Sequence, residues 1–380
     1  MKKIRVLTLS KPYVSAAYRQ KLRFWAEDPR FEIGLIAPKQ WAGQVFEPHP
    51  EDSYWLRTLD IALDGKNHFH FYRGLDQAVK EFQPDIFNIE EEHYSYVTWQ
   101  CLRLARKYHA KPLFYTWQNI HKRYPFPFSA IERAVFKESA YAIAGNQEAE
   151  DILRAKHFKG PCAIIPQMGA DPHAIALVKP RRQSLRQELT ASLGLTDSSF
   201  MAIYAGRLVE EKGLTDFLEA IKLAGETQIH ALILGSGPQR PALEALAHEL
   251  GISKQVHFLG SVSGSKIYEY FSVADALVLP SRTRKNWKEQ FGRVLVEAML
   301  CEAVPIGSDS GEIPHVIADA GLVFHEGDAQ ALASCLLKLW QNPALKQSLA
   351  QKSFERAHTL YTNTVIARQF TDVFAAIAGT

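Results

Sequence analysis

Nothing in the 380 residues reads as about 20 uninterrupted apolar side chains, the length a helix needs to cross a bilayer. Cysteine is scarce. The four present, Cys101, Cys162, Cys301 and Cys335, are isolated, and no two have metal-ligand or redox spacing, so free thiols in a cytosolic protein are expected. Asp-x-Asp occurs nowhere in the chain, which removes one common carboxylate pair for a metal. The N-terminus lacks a small-residue cleavage site. Its basic start, Met1 to Arg5, leads through a short apolar run into Lys11-Pro12, a first strand rather than a signal peptide. A net charge of only +3 gives no ground for a nucleic-acid partner.

Hydrophobic residues make up 47% of the chain, enough for two packed cores at roughly 100–200 residues per domain. Charge is divided unevenly. Residues 1–170 carry 24 Lys and Arg against 19 Asp and Glu, a balance of +5, whereas residues 171–380 carry 20 against 22, a balance of −2. The first half is therefore the better candidate for an anionic surface or acceptor. There Lys21, Arg23, Lys122 and Arg123 stand near Phe24, Trp25, Phe126 and Phe128, a mixture that suits peripheral contact with an anionic membrane and equally suits aromatics in a core.

Short β-branched runs alternate with helix-like stretches. The first series predicts strands at 4–9, 31–37, 68–72, 85–89, 113–117, 141–144 and 163–165, with amphipathic segments at 97–108 and 131–139. The second predicts strands at 201–205, 230–234, 256–259, 276–279, 304–306 and 322–324. Alternation of this kind implies right-handed βαβ units and parallel sheets. Between the two series the pattern breaks. Pro172, Pro180, Arg181-Arg182 and a polar run mark a linker. The expected division is a first Rossmann-like domain over 1–175, a linker over 176–198 and a second Rossmann-like domain over 199–361. A helix over 362–378 is expected to pack back on the first.

In doubly wound sheets ligands sit beyond the C-terminal ends of the strands, so chemistry is sought in the loops there. The strand at 201–205 runs into Gly206-Arg207-Leu208-Val209-Glu210-Glu211-Lys212-Gly213. Two cations five apart, with a helix beginning at once behind them, can flank one anionic group. The next strand ends in Gly235-Ser236-Gly237-Pro238, which lacks the third glycine of a dinucleotide fingerprint because Arg240 occupies its place. The strand after that ends in Gly260-Ser261-Val262, whose backbone could meet a base. Glu289 and Glu297 lie eight apart, about two helical turns. Phe291-Gly292 looks like the start of the helix, which leaves Glu289 on the preceding loop with the Phe291 and Gly292 amides facing an anion. Glu297 then falls inside the helix among apolar residues, where a carboxylate needs a partner.

These motifs, in this order and each behind a strand, resemble the retaining glycosyltransferases of family 4, which have the GT-B architecture; Gly307 to Pro314 fits a further loop of that family. The resemblance is strong over about residues 200–330. It implies α/β architecture with two Rossmann-like domains facing a central cleft, the donor mainly on the second and the acceptor on the first. It implies that Arg207 and Lys212 neutralise a nucleotide diphosphate, with Gly206, Gly235 and Gly237 beside it. Glu289 would hold sugar hydroxyls, Phe291 and Gly292 would contact the sugar or distal phosphate, Glu297 would grip the ribose, and Val262 would meet the base. Glu289, Arg207 and Lys212 are the expected catalytic set. The donor would be a UDP- or GDP-sugar and the acceptor a saccharide, a lipid-linked or a small molecule, with neither metal nor further cofactor.

The sequence departs from the family in two places. The loop Ser10-Lys11-Pro12-Tyr13-Val14-Ser15 holds no glycine, and Gln118 stands where many relatives have a histidine. Gln118, Asn119, Glu90 and His93 are the acceptor-side candidates; Glu91 and Glu92, in the same run, either orient acceptor hydroxyls or lie on a solvated loop. A nucleotide-sugar epimerase of the same architecture and a non-catalytic sugar-nucleotide-binding protein remain alternative readings.

Overall fold

A computed structural model describes residues 2–262 and 264–379. The chain divides into two compact units, one of residues 1–168 with 363–380 and one of residues 169–362.

The first unit is built on a sheet of seven strands: β1 (Ile4–Leu9), β2 (Phe31–Pro38), β3 (Trp55–Leu59), β4 (Ile86–Ile89), β5 (Lys111–Thr116), β6 (Tyr141–Ala144) and β7 (Cys162–Ile164). All pair in parallel, in the order β7-β6-β5-β4-β1-β2-β3. The central strand β1 sets Val6 between Ile33 and Ile86. The near-continuous apolar runs of these strands fit a parallel sheet covered on both faces. The strand order reverses between β1 and β4, the topological switch point where ligands of such sheets collect.

One cover of this sheet comes from the far end of the sequence. Helix α1 (Gln20–Glu27) packs against α5 (Asn363–Ala378). Trp25 is fully buried there, its ring 5.2 Å from Phe370 and 5.1 Å from Phe374, and its indole N–H donates to the Ala367 carbonyl at 3.0 Å. Lys111 Nζ, at the start of β5, donates to the Ile377 carbonyl at 2.7 Å.

The second unit holds six parallel strands: β8 (Phe200–Ala205), β9 (Ile229–Leu234), β10 (Val256–Gly260), β11 (Ala276–Leu279), β12 (Val304–Ser308) and β13 (Leu322–Phe324). Their order is β10-β9-β8-β11-β12-β13, again with a switch point, here between β8 and β11. Ile203 of β8 lies between Leu232 and Leu277. The helices that carry the site are α2 (Leu214–Ala224), α3 (Lys266–Val273) and α4 (Arg293–Leu300).

Three expectations change. The second unit starts at residue 169, so residues 176–198 are not a linker but part of it, running from the end of the helix Pro172–Val178 through the helix Arg182–Leu193. Arg186 fastens the longer helix down, donating to the Val273 carbonyl at 2.6 Å and the Ser199 carbonyl at 2.8 Å. The strand expected at 68–72 shrinks to Phe71–Tyr72, paired antiparallel with Ile61–Ala62 outside the main sheet. Strand β3 was not foreseen.

Candidate functional site

In the second unit the tips of β8, β9 and β10 open onto a cavity of about 310 Å³. Gly206, Arg207, Gly235, Val262 and Glu297 line it, as do Ser236, Ser261 and Arg293. The carboxylate sits at one wall. Glu297 is buried in the middle of α4, with Arg293 Nε one turn earlier at 3.2 Å from Oε1. Burial pushes its pKa up, against the downward pull of Arg293. A buried carboxylate with one cation and room beside it is a strong acceptor for ligand hydroxyls. Arg293 was not singled out as a partner from the sequence; the signal was its i, i+4 spacing from Glu297. Ser261 Oγ donates to Ser236 Oγ at 2.9 Å, tying the loops after β10 and β9 together. Arg207 stands at the rim with its side chain 70% exposed and Glu211 3.7 Å away. Its backbone is steadied instead, because Tyr204 Oη donates to the Arg207 carbonyl at 2.8 Å.

A second cluster forms behind β11. Lys212 Nζ lies 2.6 Å from Glu289 Oε2, which also accepts from Ser281 Oγ at 2.9 Å. Lys212 is further placed 4.8 Å from the centre of the Trp287 ring. Two glycines fix this geometry. Gly213 has φ +64°, and a Cβ there would fall 1.9 Å from the Pro280 carbonyl oxygen. Gly311 has φ +56°, and its Cβ would fall 2.0 Å from the Glu289 carbonyl oxygen. Larger residues would therefore push apart the loops that hold Lys212 and Glu289. Asp216, fully buried in the first turn of α2, is ion-paired with Arg282 and ties that helix to the loop after β11.

Helix α4 begins after Gly292, which has φ +72° and no side chain of its own to cap the helix. Glu289 thus lies on the loop and Glu297 inside the helix. Phe291 packs its ring 5.6 Å from Tyr361. Gly237 does not line the cavity; it lies beneath the Leu208 carbonyl, 2.3 Å from where a Cβ would stand.

The first unit revises the acceptor-side candidates. Glu90 is buried and spoken for. Its Oε2 accepts from Tyr13 Oη at 2.8 Å, Lys21 Nζ at 2.9 Å and Gln167 Nε2 at 2.9 Å, and its Oε1 accepts from Asn88 Nδ2 at 3.0 Å. That is an internal ion pair, not a ligand site. Burial lowers the Lys21 pKa against the opposing pull of Glu90. Glu91 is likewise buried rather than solvated. Burial alone would raise its pKa, but Lys11 and His70 outweigh that and hold it at about 2. His93 is fully buried, with Nε2 3.0 Å from Glu132 Oε1 and its ring stacked on Phe136. Gln118 is pinned, Nε2 donating to the Ile120 carbonyl at 3.0 Å and Oε1 lying 3.3 Å from Lys156 Nζ; Asn119 beside it is also buried. The carboxylate of this run that stays accessible is Glu92. It is partly exposed beyond β4 and β5, with Oε2 accepting from Thr116 Oγ1 at 2.7 Å and Oε1 from the Trp117 amide at 2.9 Å.

Half of the membrane motif also dissolves. Lys21 and Trp25 are interior, and Arg23 is paired with Glu51 and Asp52. Among the described residues no group of three or more His, Cys, Asp or Glu is placed to hold a metal ion, and no helix is long and apolar enough to cross a membrane. The four cysteines are free.

The chain has relatives among known proteins. Residues 186–356 match the protein-family model described as Glycosyl transferases group 1. The chain is 27% identical over 190 residues to the N-acetyl-alpha-D-glucosaminyl L-malate synthase of Bacillus anthracis, a match spanning 49% of this chain and 48% of that one. It is 24% identical over 326 residues to the D-inositol 3-phosphate glycosyltransferase of Thermomonospora curvata, spanning 78% and 74%. Among solved structures, Anabaena HepE in complex with UDP superposes with a TM-score of 0.74 at 17% identity, over 99% of this chain and 100% of that one, a likeness of fold. Residues 186–356 of the second unit are thus similar to the glycosyl transferases group 1, in a chain of two Rossmann-like units with the GT-B fold.

Proposed function

We propose that the chain is a retaining glycosyltransferase that moves a sugar from a UDP- or GDP-sugar to a saccharide or lipid-linked acceptor. The observation that carries this reading is the cavity in which buried Glu297, the exposed Arg207 guanidinium and the turns at Gly206, Gly235 and Val262 meet, beside the Lys212–Glu289 pair. Glu297 accepts the ribose hydroxyls. Val262 meets the base through its backbone. The diphosphate lies between Arg207, Lys212 and the start of α4, where the helix dipole favours an anion.

Without donor, Lys212 and Glu289 neutralise each other. An arriving diphosphate draws the ammonium toward its oxygens and frees the carboxylate for sugar hydroxyls. In the reaction the bond from the anomeric carbon to the phosphate oxygen breaks, and a bond to the acceptor oxygen forms on the same face. The acceptor proton passes to the departing diphosphate. Charge grows on that diphosphate in the transition state, so cations already in place lower the barrier. Gln118 cannot act as a base, and this route requires none. On the first unit Glu92, at the ligand edge of the sheet, replaces Glu90 as the carboxylate that orients an acceptor hydroxyl.

Thermal shift against a panel of nucleotide sugars, followed by mass spectrometry of products with candidate acceptors, tests the reading. A UDP- or GDP-sugar should raise the melting temperature and yield a glycosylated product. Stabilisation by none, or conversion of the donor to an epimer without acceptor, would overturn it.

A further inference from the structure

Two separate segments of the first unit meet on its surface and present apolar side chains to water. Phe126 is 83% exposed, the most exposed large apolar side chain described, and Phe69 is 52% exposed. The segments are joined from beneath. The Phe69 and Phe128 rings lie 5.0 Å apart, edge to face, and Tyr94 stacks on Tyr124 at 4.0 Å. Residues 63–69 and 121–128 are therefore one patch, with Leu63 also exposed on it.

The charge exposed on the two segments is mostly positive. Lys66, Lys122 and Arg123 are exposed, and none pairs with a carboxylate among the described residues. The acidic side chain within these two segments, Asp64, is turned back to accept from the Ala42 amide at 2.6 Å. Elsewhere on the first unit cations are commonly paired, as Arg23, Arg57, Lys39 and Lys107 show. Protruding aromatics ringed by unpaired cations fit an interface with apolar depth and negative charge. Charge complementarity selects the surface of an anionic bilayer over a neutral apolar partner.

We infer that residues 63–69 and 121–128 dock the first unit onto anionic lipid, with Phe126 inserted among the acyl chains and Lys66, Lys122 and Arg123 against the headgroups. The docking loop is also the loop that follows β5 and contains Gln118 and Asn119. It would bring the ligand edge of the first sheet to the membrane whatever the second unit transfers.

Flotation of the full chain with vesicles of phosphatidylcholine alone and of phosphatidylcholine with phosphatidylglycerol tests this. The wild type should float with the anionic vesicles and not with the neutral ones, and less so as salt rises. Lys122→Glu with Arg123→Glu should lower the bound fraction by at least tenfold, since each cation near such a surface contributes about a fivefold factor. Phe126→Ser should lower it independently of salt. All variants should keep the wild-type melting temperature and nucleotide binding, because the substituted side chains are exposed and lie outside the second unit. Equal binding to both vesicle types, or undiminished binding by the charge-reversed and Phe126→Ser variants, would overturn the assignment.

Discussion

Glu297 and Glu289 stand eight positions apart and are held in opposite ways. Glu297 is enclosed, with Arg293 against it; Glu289 is tied to Lys212 and Ser281 on a loop. Glu297→Gln should weaken binding of free UDP or GDP by roughly 10- to 150-fold in calorimetry, the equivalent of a charged hydrogen bond of about 1.5–3 kcal/mol. Glu289→Gln should leave that binding nearly intact and fall on kcat, because the free nucleotide has ribose and no sugar. Loss of nucleotide by Glu289→Gln alone would reverse the roles. Glu297 also carries a pH signature. Its folded pKa is raised, so the native state holds the proton longer than the unfolded chain does. Stability is therefore lost as pH rises from the unfolded carboxylate value toward the folded one. Glu297→Gln without nucleotide should melt higher than wild type above that range and equally below it. In the first unit, Lys21→Met would leave Glu90 buried and unpaired. It should destabilise that unit by about 3–5 kcal/mol in denaturant unfolding, with nucleotide binding unchanged in whatever remains folded.

At the scale of the element, the strands of the parallel sheets were legible because both faces are covered and the apolar runs are continuous, as in Phe200–Ala205 and Ile229–Leu234, every residue of which is buried. Strand β3 was not, because Trp55–Leu59 is an edge strand without a fully buried residue. Residues 182–193 read as linker because only Leu185 and Thr190 are buried in that helix. Its attachment runs through Arg186 to the Val273 and Ser199 carbonyls, which no local pattern announces. The site divides in the same way. Arg207, Lys212, Glu289 and Glu297 could be singled out because they stand at local motif spacing in the stretches that follow β8 and β11. Glu90 and Glu91 were misplaced because their burial is decided by Lys21, Gln167 and Lys11, 69 to 80 positions away. Helix α5 yields the element-scale prediction. Phe370→Ala removes a buried ring from between Trp25 and Phe374 and should cost about 3–5 kcal/mol. Chemical denaturation followed by Trp fluorescence should show the first unit unfolding earlier while the nucleotide-induced shift of the second persists.

For the whole molecule, the expected chemistry is transfer with cations supplied by the protein. Since Arg207 and Lys212 can balance the charge of a diphosphate, turnover should continue in excess chelator; near-complete loss, restored by a divalent ion, would refute that. The product linkage, read by NMR, should keep the anomeric configuration of the donor. An inverted linkage would rule out departure and attack on one face.

The return of residues 363–378 to the first unit has a consequence for how the chain is made. A domain at the start of a chain ordinarily completes itself first during synthesis. Here the Trp25 surface waits for α5, which the ribosome delivers only after the whole of residues 169–362. The second unit can thus mature while the first is still open. A nascent chain stalled before residue 363 should yield a protease-resistant second unit and a digestible first one.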